Sequence, residues 1–254
     1  LILVTNDDGM FAPGIKALVE VAKELGEVVV VAPNSPQSAK GHAVTLHDPI
    51  RINKVDVFEG IEAYECTGTP VDCVKLAKFK VLHHRKIDLC LSGINHGSNA
   101  SVNIIYSGTM SAAMEASLDQ IPSIGFSLMN YSFDADFNAS KVVVRKIVNS
   151  VLENQLQGTK LLNVNIPDTP LDKLRGIKVC RQADGRWVEE FQEGEDPRGQ
   201  KYYWLTGRFI MDDVKDGTDI HALDRHYVSI VPSGHDLTIY PAIEGNAYLE
   251  KIRL

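Results

Sequence analysis

The first nine residues, Leu1-Ile2-Leu3-Val4-Thr5-Asn6-Asp7-Asp8-Gly9, leave few folds open to this chain. Leu1 to Val4 are apolar without polar alternation, the pattern of a strand buried on both faces of a parallel sheet. A helix is predicted over 15–25, with Ile15, Leu18, Ala22 and Leu25 on one face, Pro13 near its start and Gly26 just past its end. Residues 27–32 (EVVVVA) then read as a second buried strand. Strand, helix and strand at this spacing predict a βαβ unit with a right-handed crossover. Open α/β sheets bind ligands outside the carboxyl ends of their strands. Asp7 and Asp8 stand at such an end, and two carboxylates there suit a hard cation such as Mg²⁺ or Mn²⁺. The competing reading is a solvated Asp-Gly turn. Matching chemistry at later strand ends weighs against it.

The second strand runs into a loop over 33–46 with two prolines, a glycine and many polar residues. That loop leaves a carboxyl end, so it can reach the crevice of Asp7 and Asp8. Residues 51–58 and 62–66 predict short strands forming a hairpin at the sheet edge. Thr69, Pro70 and Asp72 form a capping-box pattern opening a helix. The buried strand over 87–91 ends in Ser92-Gly93-Ile94-Asn95-His96-Gly97-Ser98-Asn99, a second strand end rich in glycine and polar groups. Asn95 can offer a neutral oxygen to a cation or an amide N–H to a phosphate, although asparagine also serves as a plain turn residue. His96, beside it, is expected to be solvent-exposed or to line the substrate. Tyr106-Ser107-Gly108-Thr109 opens a helix over 110–118, and the free N–H groups of a helix start favour anions. Simple capping explains the same residues without a ligand. Glu115 lies inside this helix and reads as structural.

A strand over 121–128, an amphipathic helix over 138–156 and a strand over 161–167 complete the predicted core. Asn163 and Asn165 give that last strand one polar face. Beyond Pro167 helical patterns largely give way to short strands at 177–180, 201–206 and 227–232, separated by turn signals such as Asp184-Gly185 and Asp196-Pro197-Arg198-Gly199. The expectation is one domain over 1–254: a Rossmann-like three-layer αβα sandwich on a mostly parallel sheet, core about 1–167. A β-hairpin-rich oligomerisation extension covers about 168–254.

Three stretches resemble the SurE (survival protein E) family: Val4-Thr5-Asn6-Asp7-Asp8-Gly9 with Ala12-Pro13-Gly14-Ile15, then Ser92-Gly93-Ile94-Asn95 with Gly97 and Asn99, then Tyr106-Ser107-Gly108-Thr109 with Ala112, Ala113 and Glu115. The G-T-P-x-D-C-V stretch and the C-terminal D-P-R-G, G-T-D and Y-V-S-I stretches extend the resemblance over nearly the whole chain. It implies metal ligands Asp7, Asp8, Ser38 and Asn95, catalysis centred on Asp7 and Asp8, and phosphate or substrate contacts from Asn95, Asn99, Ser107, Gly108 and Thr109. Thr67 and Thr69 would lie near the same pocket. The family follows the loop serine with glycine, where this chain has Ala39. The implied activity is hydrolysis of nucleoside 5′- and 3′-monophosphates with one Mg²⁺ or Mn²⁺ per subunit, in a cytoplasmic homodimer or homotetramer. Without the resemblance, the residues alone reach metal-dependent phosphate chemistry, with a bound water or an aspartyl-phosphate both open.

Other classes fit less well. A broader phosphatase or exopolyphosphatase is the nearest alternative. A haloacid-dehalogenase-type enzyme wants D-x-D, and here the carboxylates are adjacent. A receiver-like, metal-binding regulatory domain, the non-enzyme alternative, wants an acceptor Asp at a later strand end. No G-x-G-x-x-G follows the first strand to bind a dinucleotide. A formal charge of −7 argues against a nucleic-acid polymer or anionic membrane as partner. No apolar run is long enough to span a bilayer, and the apolar start is too soon interrupted for a signal peptide. Cys66, Cys73, Cys90 and Cys180 form no C-x-x-C pair and read as buried, reduced thiols.

Overall fold

The structure, a computed structural model, describes residues 1–211 and 215–252. Residues 212–214 and 253–254, inside the expected extension, lie outside the described residues. A nine-stranded sheet carries the chain, and its core is the predicted βαβ unit: β1 (Ile2–Thr5), α1 (Pro13–Leu25) and β2 (Val28–Pro33), with β1 and β2 parallel. Next in order come β3 (Ile52–Val55), β4 (Glu62–Cys66), α2 (Pro70–Leu76), β5 (Leu89–His96), α3 (Gly108–Leu118), β6 (Ser123–Leu128), α4 (Asn138–Asn154) and β7 (Leu161–Ile166). The spatial order is β3-β4-β2-β1-β5-β6-β7, with two later strands beyond β7. β3 and β4 pair antiparallel at the edge, as their spacing predicts.

Period-two alternation explains why the central strands are apolar throughout. Val4, Val30, Leu91 and Ile124 pack on one face with Ile15 and Leu18 of α1 and Val144 and Ile147 of α4. Leu3, Val29, Val31 and Cys90 pack on the other with Cys73 and Val74 of α2 and Ala112 and Ala116 of α3. Three layers follow. The Thr69–Asp72 capping box forms as predicted, with both reciprocal bonds present. All four cysteines are buried thiols.

Two features depart from the pattern of the sequence. β5 does not end at Leu91: it runs on through the glycine-rich segment to His96, with a register shift between Ser92 and Asn95 against β6. The sheet also continues past residue 167. β8 (Gly176–Val179) and β11 (Tyr227–Ser233) become its last strands, β11 antiparallel to β7 and parallel to β8. Among the described residues, only β9 (Gly185–Glu195) and β10 (Lys201–Met211) stand apart, as an antiparallel two-stranded hairpin. Two short helices, α5 (Asp219–Asp224) and α6 (Tyr240–Gly245), flank β11 in the chain.

The hairpin's root is fixed by Asp219, which is fully buried. Its carboxylate accepts from the backbone N–H of Ser101 (2.8 Å) and of Ala183 (2.9 Å), while the Ser101 hydroxyl donates to Ala183 O (2.9 Å). One aspartate thereby joins the chain before the hairpin to the 3₁₀ turn Ser101–Ile105 that leads into α3. Charge-assisted bonds of this kind are the strong ones.

Candidate active site

Asp7 and Asp8 lie just past β1, in a turn closed by Asn6. The Asn6 amide donates to Gly9 O (2.9 Å) and accepts from Gly9 N–H (3.2 Å). Asp7 is 4% exposed. Burial, and then the charge of Asp8, push its carboxyl up to about 6, against the Thr109 hydroxyl and backbone N–H that favour the anion. Gly108 is where α3 meets this carboxylate. A Cβ there would stand 2.7 Å from the Asp7 Cβ and 2.8 Å from its Oδ2, so only glycine lets the helix start approach so closely. Thr109 is wholly buried, with its hydroxyl donating to Asp7 Oδ1. Its side chain therefore serves the carboxylate and not the pocket.

Asp8 is held from β5. Its Oδ2 accepts from the backbone N–H of His96 (3.2 Å) and lies 3.0 Å from His96 Nδ1. The His96 ring sits edge-on to Phe137 at 5.2 Å and stacks on Phe133 at 6.2 Å. Its side chain is only 10% exposed, which corrects the expectation of a solvent-exposed residue; it does line the pocket. Its Nε2 is buried without a partner, so the tautomer that fits has Nδ1–H donating to Asp8.

A pocket of about 570 Å³ opens between these elements and the hairpin, lined by Asp7, Ser38, Asn95, Asn99 and Ser107 among others. Five of the expected residues thus line one pocket. Asp8, Gly108 and Thr109 are not among the lining residues: Asp8 is bonded by His96, and Gly108 and Thr109 abut Asp7. The amide nitrogen of Asn95 donates to Gly97 O (2.8 Å), which leaves Oδ1 as its uncommitted oxygen. Asn99 is fixed by the polar face of β7: Asn165 Oδ1 accepts from its N–H (2.8 Å), and Asn163 donates to its carbonyl (2.8 Å). Its own amide donates to Ser127 Oγ (2.8 Å), and a second amide proton remains. Ser107 caps α3, accepting from Met110 N–H (3.0 Å), so its hydroxyl proton is free to donate. The Gly108 N–H has no acceptor within the helix.

Ser38 arrives on the loop after β2. That loop is tied to the site by Gln37 N–H donating to Asp7 O (2.7 Å) and by His42, whose Nε2 lies 2.9 Å from Glu115 Oε2. Glu115 also pairs with Lys75, so its role is structural, as expected. Ala39 has φ +58°, the left-handed region. That conformation costs an alanine about 1–2 kcal/mol. Ala39→Gly therefore raises stability by about 0.5 kcal/mol, opposite in sign to an ordinary Ala→Gly change. Urea denaturation midpoints check this; a lower midpoint would contradict it.

The oxygens of Asp7, Asp8, Ser38 and Asn95 are hard donors, and a buried carboxylate raised toward 6 is an anion short of a counter-charge. No three His, Cys, Asp or Glu side chains converge among the described residues, as a thiolate or imidazole site would require. A divalent hard cation fits. Two other clefts, of about 610 and 590 Å³, open at the amino ends of the parallel strands, the second also against the carboxyl end of β11. In the first, Lys78 and Lys86 are already paired with Asp119 and Asp88, and Arg85 with Glu27 and Glu62.

The fold and site together define a doubly wound α/β protein with a pocket lined by oxygen and amide groups at the carboxyl edge of its parallel sheet. Known proteins narrow this. The family model described as survival protein SurE matches residues 2–189. The chain is 54% identical over 246 residues to a 5′-nucleotidase SurE of Christiangramia forsetii, covering 96% of this chain and 94% of the relative. It is 55% identical over 240 residues to a 5′-nucleotidase SurE of Cytophaga hutchinsonii, covering 94% and 93%. A crystal structure of the SurE protein from Aquifex aeolicus superposes with a TM-score of 0.84 at 40% identity, covering 98% of this chain and 99% of that one. The chain belongs to the SurE family.

Proposed function

We propose that this protein is a metal-dependent 5′-nucleotidase, a phosphoric monoester hydrolase that releases phosphate and nucleoside from nucleoside monophosphates. The curated relatives named above carry that activity in their names. The observation that carries the proposal is the convergence of Asp7, Ser38, Asn95, Asn99 and Ser107 on one pocket at the start of α3. Nothing in the relatives favours the receiver-like or broad-phosphatase readings.

Asp7, Asp8, Ser38 and Asn95 would hold one divalent ion, Mg²⁺ or Mn²⁺. When bound, such an ion supplies charge neutralisation for the phosphate and activation of water. The chain's own residues do the rest. Thr109 fixes the Asp7 carboxylate, Gly108 lets the helix start approach it, and His96 fixes Asp8. The Ser107 hydroxyl, the Gly108 N–H and the second amide proton of Asn99 supply preorganised donors for phosphate oxygens.

Self-association is part of the same proposal. Phe191 and Trp204 of the hairpin, and Leu237 and Ile239 near the carboxyl end, are 66%, 65%, 89% and 73% exposed. These exposed apolar side chains support an interface with a second copy. No helix among the described residues is long and apolar enough to cross a membrane, and a cytoplasmic location is proposed on the resemblance.

Phosphate release from 5′-AMP, 3′-AMP and an aryl phosphate, each with EDTA, Mg²⁺ or Mn²⁺, tests the activity. Release that needs the ion and favours nucleotides is expected. Release unaffected by EDTA would remove the metal from the account.

A further inference from the structure

The pocket lining is chemically mixed: beside its polar groups stand Tyr106, Tyr131, Trp187 and Leu205, with Glu189 and Thr206 also contributed by the hairpin. A bare phosphate would need only the polar groups. A volume of about 570 Å³ is that of a site for a whole small molecule.

Trp187 is held on two sides. Its indole Nε1 donates to Asn103 Oδ1 (2.8 Å), and its ring is braced edge-on by Phe209 at 5.6 Å, leaving the residue 42% exposed. Asn103 belongs to the Ser101–Ile105 turn that the Asp219 carboxylate ties to the hairpin's root. The ring is therefore tied to the same turn that leads through Ser107 into α3. An exposed indole whose polar edge is already satisfied presents a π-face to whatever occupies the pocket. Every nucleobase has such a face, and stacking on it tolerates any base.

We infer that Trp187 is the platform for the nucleobase, with Asn103 as its positioning partner, and that the β9–β10 hairpin thereby gives the site its preference for nucleotides over simpler phosphate esters. This rests on the nucleotidase reading for its kinetic test, and the binding test below does not depend on it. Stacking alone predicts weak discrimination among bases and strong discrimination against substrates that lack one.

The first experiment uses full-length protein carrying Trp204→Phe, which leaves Trp187 as the sole tryptophan. Adenosine, which carries no phosphate to release, is titrated with Mg²⁺ present, with ribose as control. Saturable quenching by adenosine but not ribose is expected; no quenching overturns the platform. The second compares Trp187→Ala, Trp187→Phe and Asn103→Ala on 5′-AMP and ribose 5-phosphate. In Trp187→Ala, KM for 5′-AMP rises about tenfold with kcat within about twofold, while kcat/KM for ribose 5-phosphate falls far less. Trp187→Phe restores most of the difference, and Asn103→Ala falls between. Equal losses on both substrates, or loss of the native assembly in sedimentation, would make Trp187 structural and overturn the inference. Quenching by adenosine in a protein that hydrolyses neither ester would keep the platform and discard the nucleotidase reading.

Discussion

Asp7→Asn abolishes metal-dependent phosphate release and, in the same protein, stabilises the metal-free fold. The loss of activity follows from removing one of two anionic ligands, and is expected to reach about a thousandfold, roughly 4 kcal/mol of barrier. The gain in stability follows from burial. The Asp7 carboxyl is held up at about 6 against an ordinary 3.8, first by desolvation and then by Asp8. A raised folded-state pKa means that the protonated form favours folding. That contribution is complete below about pH 3.8 and is lost as pH rises through about 6. Above that window, metal-free wild type carries a penalty of about 3 kcal/mol, order of magnitude only. Asparagine removes it, at the cost of weaker bonds to Thr109, for a net gain of about 1–2 kcal/mol. Urea denaturation in EDTA at pH 5 and pH 8 measures this. The two proteins should differ little at pH 5 and clearly at pH 8, and Mn²⁺ should stabilise only wild type. Equal pH dependence in both would show that Asp7 is not the strained group.

Gly14→Ala destabilises the protein by about 3 kcal/mol, although alanine is the better helix former by about 1 kcal/mol. Gly14 sits in the first turn of α1, and a Cβ there would lie 1.9 Å from the carbonyl oxygen of Ile94 and 2.9 Å from its carbon. Both neighbours are backbone, so no side chain can swing aside. Either α1 lifts from β5, or β5 shifts and moves Asn95 with it. Thermal denaturation gives the stability, and Mn²⁺ titration followed by calorimetry gives the site. An unchanged melting temperature would mean that the helix and strand have room to part.

The acidic turn, the βαβ unit, the edge hairpin at 52–66 and the Thr69–Asp72 capping box were all legible, because each depends on neighbours a few residues apart. Pattern within β5 was less so: Gly93 to Asn95 read as a loop and prove to be strand, since pairing with β6 overrides local glycine content. Strand β9 gave no signal of its own, because its period-two pattern is half charged and both faces are exposed. The assignment of β8 and β11 to the main sheet was illegible for another reason. Partner choice between strands separated by a long hairpin is not written in either strand.

The site divides in the same way. Which side chains carry oxygen, amide or hydroxyl groups at strand ends and at a helix start is a property of the sequence, as are the charge of −7 and the absence of any C-x-x-C pair. Which of them face the pocket is not. Thr109 bonds Asp7, His96 bonds Asp8, and Trp187 reaches the turn at Asn103 across 84 positions of chain. These contacts are set by how closely α3, β5 and the hairpin approach one another. Only the packed structure decides those distances, because the free energy that fixes them comes from burying whole faces together and not from any single residue.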